Sequence, residues 1–124
     1  MKVFTLDEAN ELLPAVRRML YKIKMLHGYA AQFKEEARNA ALASPYGGGM
    51  RSGSKYVNSL YELGKLTTEL DEMGIQLKDY ERGLIDFPFL RNGKLALLCW
   101  QLDEGDEILW WHELEAGFAG RQPL

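Results

Sequence analysis

Up to Met73 the apolar residues of this chain recur every three or four positions, and from Ile75 onward they alternate. The first period lines one face of a helix; the second lines one face of a strand. The expected fold is therefore α+β, a long antiparallel helical hairpin packed on a three-stranded antiparallel β-meander. At 124 residues the chain is sized for one domain, with a core that removes about two thirds of the unfolded surface from water.

Thr5 with Glu8 three residues on has the form of a capping box and opens a helix expected over 5–43. Leu6, Ala9, Leu13, Val16, Leu20, Ile23 and Ala30 follow in alternate steps of three and four, with His27 filling one step. A second row, Leu12, Met19, Leu26 and Phe33, widens this heptad seam into a stripe suited to more than one neighbour. Such a helix would be about 55 Å long at 1.5 Å per residue, more than a compact domain of this size spans. Part of it must therefore lean on something else. Pro14 is expected to kink it or to split off its first two turns.

A glycine-rich loop is expected over 44–55, "SPYGGGMRSGSK", as a mobile connection dispensable for folding. Gly48 and Gly53 have the spacing of a phosphate loop, but Ser54 precedes Lys55 where that motif needs Lys before Ser or Thr, and a helix leads in. A second helix is expected over 56–73, with Leu60, Leu63, Leu66, Leu70 and Met73 on one face and Gly74 as its C-cap.

The meander is expected over 83–113. Asn92-Gly93 is a strong two-residue hairpin signal and pairs Leu90 with Leu95, Phe87 with Leu98 and Ile85 with Trp100. A second hairpin at "DEGDE" pairs Leu102 with Glu107, Trp100 with Leu109 and Leu98 with Trp111. One face then carries Ile85, Phe87, Phe89, Ala96, Leu98, Trp100, Leu102, Leu109 and Trp111, the floor for the helices. The other carries Leu84, Asp86, Pro88, Leu90, Leu95, Leu97, Cys99, Gln101, Ile108, Trp110 and His112. That second face is too apolar for water, so the first helix, the tail over 114–124 or a second subunit must cover it.

The net charge of −3, with acids and bases mixed, offers no field for nucleic acid, and no run is long enough to span a membrane. Acids in "MKVFTLDEANELLPAV" interrupt any signal-peptide core, so the chain reads as cytoplasmic. Its one cysteine, Cys99, has no partner for an internal disulfide.

The runs "LKDYERGLIDFPFLRNGK", "LCWQL" and "WWHELEAGFAGRQPL" resemble the prokaryotic domain-of-unknown-function family 2203. The resemblance extends from "FTLDEANELLP" through the tail, with little carried by the glycine loop and the second helix; "ERGLIDFP" and "HELEAGFAGRQP" are its most specific parts. It implies a small bacterial cytosolic protein, brings no established activity and supplies no catalytic residues.

Chemistry must then be sought in the residues. "HELEA" begins like a zincin, but Ala116 stands where the second histidine belongs. His27 lies on the helical seam and reads as a packed histidine. A carboxylate-rich divalent metal site (Mg, Mn or Zn) could draw on Glu81, Asp86, His112, Glu113 and Glu115, with Asp79 nearby. Cys99 and His112 share a face two positions out of register, a weak basis for a nucleophile and its base. Asp86 on an apolar face needs a partner, and Arg82 and Arg121 are the cations at hand. Gly117 and Gly120 allow a tight turn around Phe118 that would bring backbone amides and Arg121 together as a small anion site, with Arg82, His112 and Arg121 as the ligand- or anion-binding residues. In the plainer reading Phe118 plugs an apolar gap, Arg121 pairs with Asp86 or Glu81, and His112 and Glu113 mark the strand's end, where solvent or the tail satisfies them.

Two functions remain. One is a self-associating interaction or regulatory protein, a homodimer that uses the surplus helix length and the second sheet face. The other is a small enzyme or ligand-binding protein with its site where the tail, "ERGLID" and His112 meet, and a deep polar pocket there would favour it.

Overall fold

The computed structural model describes residues 1–43 and 53–124. It is α+β, with two helices and a five-stranded antiparallel sheet of order β1-β2-β3-β4-β5.

Helix α1 spans Leu6–Ala43. Its capping box is formed: the Thr5 amide donates to Glu8 Oε1 at 2.9 Å, and the Glu8 amide donates to Thr5 Oγ1 at 3.1 Å. The seam is buried as its spacing predicts, at Ala9, Leu13, Val16, Leu20, Ile23 and Ala30. His27 sits half-buried, stacked on Tyr80 at 4.9 Å. α1 runs through Pro14 as one helix, so its first two turns are not split off. Pro14 lies on the exposed side of the helix.

Helix α2 spans Gly53–Glu72, three residues earlier at its start than the sequence suggests. Gly53, Ser54 and Lys55 thus form its first turn instead of closing a loop. The rest of the expected glycine loop, 44–52, lies outside the described residues. Gly74, at φ 88°, ends α2: its amide donates to the Asp71 carbonyl at 2.9 Å, and the Ile75 amide to that of Leu70 at 3.1 Å. This pair of bonds returns the chain toward the sheet.

Strand β1 (Gln76–Asp79) lies ahead of the expected meander, where the alternation begins; it pairs with β2 (Leu84–Arg91) across a register shift between Leu77 and Asp79. "KDYERG" is thus the end of an edge strand and its turn, in which Asp79 Oδ1 accepts from the Glu81 and Arg82 amides, each at 2.9 Å. Strand β3 (Lys94–Trp100) pairs with β2 in the expected register, Leu90 on Leu95, Phe87 on Leu98 and Ile85 on Trp100. Asn92 (φ 53°) and Gly93 (φ 78°) both take the left-handed conformation such a hairpin requires.

The next hairpin departs from the alternation. Strand β4 is only Trp110–His112; Leu98 faces Trp111, but the rungs Trp100–Leu109 and Leu102–Glu107 do not form. Leu109 is 53% exposed, and Ile108 takes its place in the core. Helix α1 explains the switch: Asn10 Oδ1 accepts the Ile108 amide at 2.8 Å, Arg17 binds Asp106 at 2.9 Å and also donates to the Gly105 carbonyl. The Trp100 indole donates to the same carbonyl at 3.2 Å. These long-range bonds hold the acidic turn against the helix in place of a strand ladder.

The tail adds a strand that the sequence did not suggest. After a 3-10 turn at Phe118–Gly120 it returns as β5 (Gln122–Pro123) beside β4, with the Leu124 amide donating to the Leu109 carbonyl at 3.0 Å. The helix-facing core joins Ile85, Phe87, Phe89, Ala96, Leu98, Trp100 and Trp111 to the α1 seam.

Candidate functional site

With the helices on one side of the sheet, the other is closed by the chain's own C-terminal segment. Leu114, Gly117 and Phe118, with Lys78 from β1, frame a pocket of about 230 Å³ over Leu84, Asp86, Leu97, Cys99 and His112. Asp86, Cys99 and His112 are each at most 2% exposed. Strand register puts them together: Asp86 faces Cys99 across β2 and β3, while His112 faces Leu97 one strand further on. His112 therefore stands diagonal to Cys99, a spacing that long side chains bridge.

Asp86 finds its partner in His112, in place of Arg82 or Arg121. Imidazole Nε2 lies 3.1 Å from Asp86 Oδ1, and Nδ1 donates to the Glu113 carbonyl at 2.7 Å. His112 is the last residue of β4 and is buried beside the tail, while the next residue, Glu113, is exposed. Both ring nitrogens are engaged, so neither is free to take a proton from Cys99. Burial, reinforced by the facing Asp86 carboxylate, pushes the Cys99 thiol up to about 12. A nucleophilic cysteine needs the opposite environment, an electropositive setting and an available base.

Arg121 pairs with Glu104 and with neither Asp86 nor Glu81. Its Nη2 bonds both Glu104 oxygens, at 2.8 and 2.6 Å, and its guanidinium lies over Trp110 at 5.0 Å and Phe118 at 4.7 Å. Glu104 Oε1 also accepts the Gln101 amide at 2.9 Å, and Gln101 Oε1 accepts Arg82 Nε at 3.0 Å. The Arg82 guanidinium covers the far part of this cluster, 4.1 Å from the Phe118 ring. Arg82, Phe118 and Arg121 thus form a clamp that holds the tail over the pocket. Arg121 is already neutralised by Glu104, and His112 lies beneath the clamp, facing Asp86. Of the other acids considered from the sequence, Glu81, Glu113 and Glu115 point to solvent and Asp79 is occupied in its turn. Cys99, weighed from the sequence only as a nucleophile, is the third member of the buried group; the alternation that sorts the faces was the signal for it.

A second surface lies on the helical hairpin. On the side of α1 opposite the seam, Tyr21, Met25 and Tyr29 are 55%, 63% and 38% exposed. Between the helices a groove of about 370 Å³ is lined by Met25, Leu26, Tyr29, Lys55, Asn58, Ser59 and Glu62.

The family model described as "Uncharacterized conserved protein (DUF2203)" matches residues 2–124. The chain belongs to this family. No curated protein and no solved structure matches it. For this DUF2203 chain the two features with functional content are the buried Asp86–Cys99–His112 group and the exposed apolar side of α1. Among the described residues no helix is long and apolar enough to cross a membrane.

Proposed function

We propose that this protein is a small self-associating interaction protein whose helical hairpin pairs two copies of the chain. The observation that carries this reading is the exposed row Tyr21, Met25 and Tyr29. At about 100° per residue the same face of α1 continues to Arg18 at one end and to Gln32 and Glu36 at the other. A two-fold axis near the midpoint of Met25 and Tyr29 would set two such helices antiparallel. Apolar side chains would then meet in the middle, and Arg18 of each copy would approach Glu36 of its partner. Two hairpins joined in this way make a four-helix layer, which accounts for a helix of 38 residues beside one of 20. The free, buried thiol of Cys99 fits a reducing, cytoplasmic setting.

A second reading, a ligand-binding or enzymatic site under the tail, is favoured by the buried Asp86–His112 pair at the floor of its pocket.

Self-association is tested on the variant Met25→Glu with Tyr29→Glu. Sedimentation velocity should show a dimer for the parent chain and a monomer with unchanged helical circular dichroism for the variant. A variant that still sediments as a dimer would place the interface elsewhere.

A further inference from the structure

We propose that Asp86, Cys99 and His112 form a three-ligand site for a divalent transition metal of the zinc class, with a fourth position open to the pocket beneath Phe118. The inference rests on the pocket reading above and is independent of self-association.

The hydrogen bonds of His112 supply the first argument. A neutral imidazole has one N–H, and here both ring nitrogens face oxygen acceptors, the Glu113 carbonyl at 2.7 Å and Asp86 Oδ1 at 3.1 Å. With Nδ1 donating to the carbonyl, Nε2 presents a lone pair to a carboxylate. Something positive must lie between them, either a proton or a metal ion. A backbone carbonyl holding the distal nitrogen is also the arrangement that orients a metal-binding histidine.

The third group distinguishes the two occupants. Sharing a proton needs only Asp86 and His112, yet Cys99 brings a sulfur to the same point: one donor atom from each residue lies within 4.8 Å of the other two. Metal–ligand distances of about 2.0 to 2.3 Å place neighbouring donors of a tetrahedral site about 3.3 to 3.8 Å apart, so the three side chains need to close by no more than about 1.5 Å to hold an ion. One sulfur, one nitrogen and one oxygen form a borderline-soft set that suits zinc or cobalt and disfavours magnesium or calcium. Three protein ligands beside a pocket leave the fourth position for water or a small ligand, the pattern of catalytic zinc sites rather than structural ones.

Charge balance agrees. Without metal, a thiol beside a carboxylate and imidazole that share one proton is neutral. With a divalent ion bound to thiolate, carboxylate and neutral imidazole, the site is neutral again. Loading is therefore an exchange of one M²⁺ for two protons, the thiol proton of Cys99 and the proton between Nε2 and Oδ1. A site buried to this degree can accept the ion without leaving a net charge away from water.

The test is a titration of chelator-treated full-length chain with Co²⁺, followed by displacement with Zn²⁺. One equivalent of Co²⁺ should bind with a thiolate-to-cobalt charge-transfer band, release two protons into weak buffer, and be displaced by Zn²⁺. At metal concentrations 100 times Kd the folding equilibrium constant should rise about 100-fold. Cys99→Ser should lose the band, and His27→Gln should keep it. Absence of a thiolate band on the parent chain overturns the proposal, whether or not Cys99→Ser folds. So does Co²⁺ binding that Cys99→Ser leaves unaltered, which would put the ion on surface carboxylates. Neither outcome bears on the molar mass of the chain.

Discussion

His112 Nε2 lies 3.1 Å from Asp86 Oδ1, in a pair whose side chains are 2% and 3% exposed. Two polar groups so far from water stabilise the fold only while both are present. Removing one leaves the other buried without its partner, at a cost of about 3 to 5 kcal/mol. His112→Ala is expected to lower stability by that amount in urea unfolding of metal-free chain, while the Leu pair at 86 and 112 should lie much closer to the parent. A loss below about 0.5 kcal/mol, typical of a surface change, would show that the pair is solvated.

The clamp on the tail gives a separate prediction. Arg121 makes charged hydrogen bonds to both oxygens of Glu104 and is packed between Trp110 and Phe118. Arg121→Ala should cost about 1.5 to 3 kcal/mol. Arg121→Lys should recover little of it, since an ammonium cannot reproduce the planar fork or the stacking. Amide exchange at Trp111 should accelerate in both variants, because its amide faces Gln122 of β5. Unchanged exchange would mean that the tail is held by β5 alone.

Cys99 sets a pH dependence in alkaline solution. The folded, metal-free chain keeps its thiol proton to about 12, whereas the unfolded chain releases it near the ordinary value of 9.0. Between those values the unfolded state binds fewer protons, so stability falls as pH rises. Thiol labelling at pH 8 should be negligible in the folded chain and prompt after denaturation. Cys99→Ala should show a shallower loss of stability from pH 9 to 12. Equal slopes in parent and variant would contradict the assignment.

Glu8 acts in the opposite direction. The Thr5 amide and hydroxyl hold its carboxyl below the usual value of 4.5. The unfolded chain takes up the proton first as pH falls, so the charged cap contributes fully above 4.5 and is lost as pH drops through the lower folded value. Glu8→Gln should be less stable than the parent at pH 7, and the two thermal midpoints should converge in acid. A constant difference would show that the carboxylate charge has no part in the cap.

The elements whose pattern is set locally were legible in the sequence. The seam from Ala9 to Ala30, the Thr5–Glu8 cap, the Gly74 stop and the Asn92-Gly93 hairpin follow from periodicity and turn chemistry, and the β2–β3 register follows from that turn. What escaped depends on contacts far apart in the chain. Leu109 and Ile108 exchange roles because Asn10, nearly a hundred positions away, captures an amide. Strands β1 and β5 are too short for their pattern to show that they pair, and they form against the edges that β2 and β4 offer. At the site, alternation put Asp86, Cys99 and His112 on one face, but it does not say which of the available partners each polar group takes, Asp86 with His112 and Arg121 with Glu104. No local pattern reveals such a competition between partners.

Self-association is tested most directly by the molar mass of the parent chain, measured by light scattering across a dilution series. A dimer at twice 14.2 kDa, dissociating only on dilution, is the expected result. A single species at 14.2 kDa in the high-micromolar range would contradict it and leave the Tyr21–Met25–Tyr29 row as ordinary surface.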